Sequence, residues 1–372
     1  MANIQSLLSE QNFETFDELL SFVKECHLDI KHNNDLFMLC FNNETDLNIV
    51  SMRECTGIIF EKKKPFNKIV HVTFPKCYED YEDYKDYKNV NKVNNIITKD
   101  IVTLFFQGTI IKLYYYNNNW NVATSNHLDA SENNWSSNKT FEELFIECVT
   151  TSYPEETYYT FLNGLDTECC YSYLIQHPEN KQTIKIYEAL LFEINKINLN
   201  TLHEYADIEF FKVDKTVEEI VNSENRHICD NYLILKLNED LTINSRIKLL
   251  SPEFLKLKEI EGNQPNPGLR IIELLHSYEL QEEFISAFPE HRELCNKINN
   301  MFKITRSKIH EIYFNIHIKK LEIEIPIKFN RILYQMHCRY KKLKCPITKN
   351  DISDKLMSLN ARTIANIIGY TY

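Results

Sequence analysis

Residues 101–124 read IVTLFFQGTIIKLYYYNNNWNVAT and decide the class of fold. β-Branched and aromatic residues dominate three runs within this stretch, and such runs are typical of β-strands. The Asn residues at 117–119 tolerate a left-handed backbone, which suits a tight turn between two strands. The stretch therefore predicts the clearest antiparallel hairpin arrangement of the chain, with strands at Ile101–Phe106, Thr109–Tyr116 and Asn121–Thr124.

Shorter β runs lie on both sides of this stretch. We predict further strands at Leu36–Cys40, Gly57–Phe60, Ile69–Phe74, Tyr171–Ile175, Thr183–Ile186, Ala189–Ile194 and Tyr232–Leu237. Apolar residues at helical spacing predict a helix over residues 1–30. A second amphipathic helix is predicted over Phe141–Cys148, with Thr140 as its N-cap and Glu143 at the reciprocal position of a capping box.

The order of these elements predicts an α+β protein in which antiparallel sheets dominate. From about residue 251 onward the pattern is helical, and the prolines at 265 and 267 mark a break. We therefore expect a mixed domain over 1–250 and a small all-helical domain over 251–372. The acidic repeat CYEDYEDYKDYKN at 77–89 predicts a solvated loop or helix.

Composition excludes several classes of protein. Hydrophobic residues make up 43% of the 372 residues, enough for a sizeable core and too many for a disordered chain. A net charge of −11 argues against a protein whose whole surface coats nucleic acid. The 11 scattered cysteines predict reduced, mostly buried thiols. No signal peptide or membrane span is expected, which predicts a cytoplasmic protein with no membrane partner.

The segment 303–349 departs from this acidic character. Twelve Lys and Arg residues against three acidic ones give it a net charge of +9. Tyr and Phe residues are interleaved with the bases, a combination that suits phosphate pairing and base stacking. Lys341, Lys342 and Lys344 are therefore candidate RNA contacts. The alternative is a solvated helix face beside an acidic neighbour.

Generic catalytic signatures are missing from the sequence: it has no phosphate-binding glycine loop, no dinucleotide fingerprint, no HExxH and no Cys/His zinc spacing. The informative feature is instead a series of phrases in a fixed order. They are RECTGIIF (53–60), IVHVTFPKC (69–77), LFFQGTIIKLY (104–114), WNVAT (120–124), YSYLIQHPENK (171–181), NYLILK (231–236) and RIKLLSPEF (246–254).

This order resembles the phage-type, ATP-dependent RNA ligases of the covalent nucleotidyltransferase superfamily and the ligase-like proteins of large DNA viruses. The resemblance covers roughly residues 50–260 and implies a ligase-like nucleotidyltransferase fold. In that family a lysine opens a K-x-D/E-G turn, attacks the α-phosphate of ATP and carries AMP as a phosphoramidate. A carboxylate binds the divalent metal, and two late basic residues neutralise phosphates.

Carried over by position, the nucleophile turn falls on Phe105–Gly108. Gly108 is kept and Gln107 lies beside it, but Phe105 stands at the lysine position, and a phenyl ring cannot attack a phosphate. The nearby Lys99 and Lys112 do not open the required turn. The resemblance therefore implies no catalytic residue, although Gln107, Gly108 and Lys112 remain candidate nucleotide or RNA contacts.

The other family positions match unevenly. The upstream Arg-Gly falls on Thr56-Gly57, and the Glu of the middle strand falls at about Leu174. The Glu-Gly of the fourth motif falls on Asp230-Asn231, which keeps an acid, so Asp230 is the candidate metal ligand. The late basic pair survives as Arg246 and Lys248, the candidate phosphate contacts.

Each of these residues also has a plain structural interpretation. Gly108 is then a hairpin or bulge glycine, and Asp230 is a turn residue. Arg246 and Lys248 are alternate residues of a strand that face water, and Phe105 fills a core or a pocket.

Three functional hypotheses follow. The first is a degenerate RNA-ligase-like protein that binds RNA or a nucleotide, or joins RNA-processing machinery, without self-adenylylation. The second is an active ATP-dependent RNA ligase that uses another lysine, with ATP and Mg²⁺ as its cofactors. The third is a structural or assembly protein of a large DNA virus that retains the fold. RNA and protein partners are open in all three, and a virus particle or replication site is an alternative location.

Overall fold

The computed structural model of the protein describes residues 3–79, 99–180, 183–184, 186–205, 212–221, 227–237 and 243–371. The chain divides into two compact units, Met1–Leu255 and Lys256–Tyr372, which we call unit 1 and unit 2. Unit 1 contains three antiparallel sheets, and the described residues of unit 2 form helices joined by loops, without a strand. The predicted class, an α+β protein with antiparallel sheets and a helical C-terminal region, is confirmed.

Unit 1 begins with two helices and a four-stranded sheet. Helices α1 (Asn3–Gln11) and α2 (Phe16–Glu25) precede the sheet, and α3 (Val50–Arg53) lies between its second and third strands. The strands run in sequence order as β1 (Leu28–His32), β2 (Leu36–Phe41), β3 (Thr56–Glu61) and β4 (Ile69–His71).

The prediction of one helix over residues 1–30 is wrong in two places. Asn12 and His27 have φ angles of 48° and 53°, and a left-handed residue ends an α-helix. The chain therefore forms two short helices and enters β1 at Leu28. The strand predicted at Ile69–Phe74 is shorter than expected, because its ladder with β3 ends at His71.

A five-stranded sheet follows, with spatial order β10-β9-β8-β6-β7. Its strands are β6 (Thr109–Tyr116), β7 (Asn119–Thr124), β8 (Cys169–Gln176), β9 (Leu190–Asn198) and β10 (His203–Tyr205). The predicted turn between β6 and β7 is confirmed. Asn117 and Asn118 have φ angles of 51° and 61°, as a two-residue turn of the primed type requires.

The third sheet contains β5 (Lys99–Leu104), β11 (Tyr232–Leu237) and β12 (Ile243–Leu249), in the order β12-β11-β5. The predicted hairpin between the runs at 101–106 and 109–116 is therefore wrong. β5 pairs with β11, whereas β6 pairs with β7 and β8. Residues Phe105–Gly108 consequently connect two different sheets.

Three helices complete unit 1: α4 (Phe141–Ser152), α5 (Tyr158–Asn163) and α6 (Val217–Val221). The predicted capping box at the start of α4 is confirmed, since Thr140 accepts from the Glu143 N–H and the Glu143 carboxylate accepts from the Thr140 N–H. The strand predicted at Thr183–Ile186 is absent at the described positions 183, 184 and 186. The acidic repeat at 77–89 lies largely outside the described residues, from residue 80 onward.

Helix α7 (Pro252–Glu261) begins in unit 1 and continues into unit 2. Unit 2 then contains α8 (Pro267–Glu273), α9 (Tyr278–Ala287), α10 (Arg292–His317), α11 (Asn330–Leu343), α12 (Lys349–Met357) and α13 (Ala361–Ile368). Apolar faces of these helices form one core around residues such as Ile271, Ile309 and Ile352. No helix within the described ranges combines the length and the apolar character needed to cross a bilayer.

The cysteines are free thiols, as the sequence predicts. Seven of them are buried and Cys26 is half-buried, whereas Cys229, Cys338 and Cys345 are exposed. Burial raises the pKa of the Cys148 and Cys170 thiols to about 12. The buried thiols therefore pack as small hydrophobic groups in the protonated form.

Candidate nucleotide-binding site

The Phe105–Gly108 connection between the two sheets is held by specific hydrogen bonds. The Phe105 N–H donates to the carbonyl of Asn231 (2.9 Å). The Gln107 side chain accepts from the Thr183 N–H (2.8 Å) and donates to the Thr183 hydroxyl (3.0 Å). The predicted contact residue Gln107 therefore positions the connection.

Gly108 ends this connection where it passes close to β8. A Cβ atom at Gly108 would lie 2.6 Å from the Ile175 carbonyl oxygen and 2.9 Å from Cγ of Leu174. A glycine is required there because the two backbones approach too closely for a side chain. Leu174, at the family's Glu position, is buried and offers no carboxylate.

Four basic side chains lie around Cys77, and we call them the basic cluster: Arg53, Lys76, Arg246 and Lys248. Arg246 and Lys248 are alternate residues of β12, and the backbone of Tyr78 pairs with the segment between them. Arg53 ends α3, and its guanidinium donates to the carbonyl of Lys76 (2.9 Å).

Aromatic rings cover all four of these cations, and the Lys76 ammonium lies 5.4 Å from the ring centroid of Phe41. The Arg53 guanidinium lies 3.8 Å from the ring centroid of Tyr78, and that of Arg246 lies 4.4 Å from the ring of Phe74. The Lys248 ammonium lies 5.9 Å from the centroid of Phe105. These distances are those of cation–π pairs. The ring at the expected nucleophile position thus packs beside a predicted phosphate-binding lysine.

The two arginines of the cluster are buried, and its two lysines are half-buried. Arg53 and Arg246 are 7% and 6% exposed, so Arg246 does not face water as the plain structural interpretation expects. Glu79 forms ion pairs with Lys76 (3.1 Å) and, at 3.9 Å, with Lys248. Burial raises the pKa of the Cys77 thiol, and the neighbouring Lys248 and Arg246 oppose that rise. Half-buried cations of one sign attract a phosphate group.

Asp230 and Asn231 precede β11 and hold the same connection from the other side. The Asp230 carboxylate accepts from the His227 N–H (2.9 Å) and from the Tyr232 hydroxyl (3.4 Å). The Asn231 side chain is buried, accepting from the Ser251 N–H and donating to the Ile228 carbonyl, each at 2.8 Å. Asn231 therefore fastens the end of β12 at a position where the family has glycine.

The fit of Asp230 to a metal is limited. Within the described ranges, no two other His, Cys or carboxylate groups join Asp230 in a three-ligand cluster. A single carboxylate holds Mg²⁺ only together with phosphate oxygens and water. The metal role of Asp230 stays a prediction.

Lys112 lies inside unit 1, away from solvent. Its side chain is 0% exposed, and its amine donates to the carbonyls of Thr56 and Gly57, both at 2.6 Å. Burial lowers the pKa of Lys112 to about 7. His71, on the neighbouring strand β4, is also buried, and burial together with Lys112 lowers its pKa to about 3. The predicted contact Lys112 thus joins β6 to β3.

A second polar cluster lies beside α4. Ligand atoms of Glu147, His177 and Glu179 lie within 4.8 Å of one another, close enough for a metal ion. The ammonium of Lys139 contacts both carboxylates, at 2.9 Å and 2.6 Å. These bonds raise the pKa of Lys139 to about 12, so the lysine supplies the positive charge that the carboxylates need.

The structure thus gathers part of the predicted site. Phe105, Arg246 and Lys248 lie together, with Asn231 bonded to Phe105, whereas Lys112 occupies a separate buried position. The exposed lysines Lys341, Lys342 and Lys344 belong to unit 2. Arg53 and Lys76 were missed, although Arg53 opens the first ligase-like phrase and Lys76 is the penultimate residue of the second.

Comparisons with known proteins give one short similarity in sequence. No protein-family model matches the chain. An immediate-early protein ICP-46 homolog of Invertebrate iridescent virus 3 is 34% identical over 82 residues, which are 21% of this chain and 17% of that protein. The chain therefore matches less than a fifth of the length of that relative.

Over most of its length the chain is similar in structure to ATP-dependent DNA and RNA ligases, the class that its sequence resembles. A protein of Aquifex aeolicus assigned as an ATP-dependent DNA ligase has a TM-score of 0.38 and 12% identity, over 88% of this chain and 80% of that one. An archaeal ATP-dependent RNA ligase has a TM-score of 0.35 and 8% identity, over 98% and 79%. A Naegleria gruberi RNA ligase mutant with ATP and Mn has a TM-score of 0.31 and 12% identity, over 50% and 58%.

Proposed function

We propose that the protein is a degenerate RNA-ligase-like protein that binds a nucleotide or RNA at the basic cluster without self-adenylylation. The observation that carries this proposal is Phe105. Its ring stands at the family's nucleophile position and packs beside Lys248, a cation suited to a phosphate. The site thus keeps the electrostatics of phosphate binding and lacks the group that would attack.

The physical reason is the strict geometry of covalent catalysis. Phosphoramidate formation needs an amine in line with the α-phosphate, and such placement provides effective molarities of about 10⁵ M or more. A phenyl ring has no lone pair to donate. The amine of Lys112 is held by two backbone carbonyls and is sealed from solvent.

We expect no lysine–AMP adduct when the full-length protein is incubated with ATP and Mg²⁺ or Mn²⁺. Intact-mass spectrometry of the wild type should show no gain of one AMP. Phe105→Lys should also gain none, because Leu174 and Asn231 have departed from the family pattern as well, and Phe105→Leu is the matched control. A wild-type adduct would contradict the proposal. An adduct in Phe105→Lys alone would overturn only the expectation that the rest of the site is disabled.

The proposal also predicts that Lys248 contributes to the affinity for a nucleotide or RNA. Lys248→Gln should weaken the binding of fluorescent ATP or a short RNA by about 10- to 150-fold, since a charge-assisted hydrogen bond contributes about 1.5–3 kcal/mol. Lys24→Gln, an exposed lysine of α2, is the control and should leave affinity unchanged. Fluorescence anisotropy measures both. Equal affinities for the two variants would exclude the basic cluster as the binding site.

One observation favours a second candidate, an active ligase that uses Lys112. A lysine whose pKa lies near 7 is partly unprotonated at neutral pH and therefore nucleophilic. Peptide mapping of any adduct decides this question, because the second candidate places AMP on Lys112. It also requires the Lys112 amine to leave the carbonyls of Thr56 and Gly57.

The biological setting is part of the proposal. The short similarity to an iridescent virus protein supports an origin in a large DNA virus. We place the protein in the cytoplasm, at a viral replication site or in the particle, as an RNA-binding subunit of RNA-processing machinery. The structural alternative, an assembly protein that retains the fold, predicts that neither nucleotide nor RNA binds.

A further inference from the structure

Unit 2 contains a run of four packed rings where α10 meets α11. His317, the last residue of α10, stacks on His337 of α11 with ring centroids 4.0 Å apart and planes 10° from parallel. The Tyr313 ring lies 4.7 Å from that of His317, and the Tyr340 ring lies 6.2 Å from that of His337. Tyr313 is buried, whereas Tyr340 is 36% exposed, so the run is open at one end.

Two lysines lie near the two histidines of this run. Lys320 and Lys341 lie close enough to both histidines to lower their pKa values. Lys319, Lys342 and Lys344 are exposed nearby in the sequence, and among the described residues none of these five lysines has an ion pair. The segment 303–349 has a net charge of +9. We call the four rings with Lys320 and Lys341 the ring–lysine platform.

Two polar atoms of the platform lack partners. The Tyr313 hydroxyl and His337 Nδ1 are buried, and neither has a hydrogen-bond partner within the described part of the chain. Ring stacking itself does not use the hydroxyl or the ring nitrogen. Burying these two atoms without hydrogen-bond partners costs free energy. The stack thus combines flat aromatic faces, unused hydrogen-bonding atoms and unpaired cations in one place.

We propose that the ring–lysine platform binds single-stranded RNA, with a base stacked at the exposed Tyr340 end and phosphates on Lys320 and Lys341. This inference rests on the proposed RNA binding and adds to it a further RNA-contacting surface within unit 2. Stacked rings bind the flat faces of unpaired bases, which a duplex does not present. An acidic protein partner would use the lysines but would not need the ring stack.

The two histidines make the binding of RNA to the platform depend on pH. Partial burial lowers the pKa of His317, with His337 and the two lysines adding to the effect. Partial burial also lowers the pKa of His337, and Lys341 and Lys320 add to it. Both rings are therefore neutral in the free protein at pH 7. A bound phosphate cancels the lysine charges and favours the protonated ring, so binding takes up a proton and tightens as pH falls.

One proton is expected rather than two. The stacked rings are 4.0 Å apart, and two positive charges at that distance repel each other. The fold therefore sets an upper bound of one added charge on the pH effect. In unspecific adsorption of RNA, every exposed titratable group contributes to the pH effect. A pH effect of at most one proton therefore distinguishes binding at the platform from unspecific adsorption.

The test measures the binding of full-length protein to a labelled single-stranded RNA of about 12 nucleotides by fluorescence anisotropy. Wild-type affinity should rise by up to about tenfold between pH 8 and pH 6, the effect of one pKa unit in one group. His317→Phe with His337→Phe keeps both rings but leaves neither able to titrate, so this double variant should bind at pH 8 and lose the rise. Tyr340→Ala should lose about tenfold at both pH values.

The salt dependence tests the lysines. Lys320→Gln with Lys341→Gln should reduce the slope of log affinity against log salt by about 1.4, which is two phosphate contacts on a single strand. The control is Lys297→Gln with Lys303→Gln, two exposed lysines of α10 about 30 and 20 Å along the helix from His317. The control should leave the pH rise and the Tyr340 effect intact.

Three outcomes would overturn the inference. They are equal affinity of wild type and the Lys320/Lys341 variant, an undiminished pH rise in the variant that carries both His317→Phe and His337→Phe, and preference for a duplex of the same sequence. In each case RNA binding elsewhere on the protein survives. If the wild type binds no RNA at all, both this inference and the RNA half of the proposed function fail, whereas nucleotide binding at Lys248 is tested separately.

Discussion

Lys112→Met is expected to lower the free energy of unfolding of unit 1 by about 2–4 kcal/mol at pH 8.5. The variant leaves the carbonyls of Thr56 and Gly57 without donors inside the fold, and each orphaned acceptor costs about 1–3 kcal/mol. A neutral amine has two N–H groups, which match the two carbonyls. Within the described residues a third hydrogen-bond acceptor for the ammonium is absent.

The pH dependence of this loss follows from linkage. Burial lowers the pKa of Lys112 to about 7, whereas the unfolded chain keeps the ordinary value of about 10.4. Between these values the unfolded state binds one more proton than the folded state, so wild-type stability rises with pH. The difference between wild type and Lys112→Met should grow by about 1.4 kcal/mol per pH unit above pH 7. It should be flat below about pH 6, where both states carry the proton.

Urea denaturation followed by tryptophan fluorescence is the suitable measurement. The only two tryptophans, Trp120 and Trp135, both lie in unit 1, so the signal reports unfolding of that unit. Lys24→Met, an exposed lysine, is the control and should show neither the loss nor the slope. A stability difference that is independent of pH between 6 and 8.5 would show that Lys112 is charged in the folded protein.

Gly57→Ala is expected to cost about 3–5 kcal/mol, measured by the same tryptophan signal. Gly57 has a φ angle of 87°, which disfavours a side chain by about 1–3 kcal/mol. A Cβ atom there would also lie under 3.0 Å from both the Ser125 carbonyl oxygen and the Lys112 amine. Overpacking of that kind adds about 1–3 kcal/mol.

Gly164→Ala is the matched control for this variant. Gly164 ends α5 with a φ of −77°, and a Cβ atom there would find its nearest neighbour at an ordinary 3.5 Å. We expect a change of less than about 1 kcal/mol, toward higher stability. Similar stability changes in both variants would mean that neither the positive φ angle nor the contact with Lys112 and Ser125 limits position 57.

Local patterns sufficed for much of this fold. The strands at 109–116 and 232–237 and the capping box of Thr140 and Glu143 follow from residues close together in sequence. Local patterns did not predict which strand pairs with β5, because a β run specifies a strand without specifying its partner. The break at His27 was hidden, since no glycine or proline signals that left-handed residue.

The candidate site was predictable to a similar extent. The ligase-like phrases group Phe105, Arg246 and Lys248 as one candidate site, and in the structure Phe105 lies beside Lys248, which shares β12 with Arg246. The alternation of side chains along β6 did not indicate that Lys112 is buried. β6 is covered on both faces, so a position that reads as solvent-facing lies between two sheets.

The buried thiols bear on how long a folded molecule lasts. Burial holds thiols such as Cys148 and Cys170 in the protonated form, and the thiolate is the species that attacks disulfides and oxidants. Opening of the fold returns their pKa toward about 8.5 and makes them reactive. Cross-links between opened chains then prevent refolding. Outside a reducing environment, the working lifetime of the protein is therefore governed by the rate at which it opens rather than by its equilibrium stability.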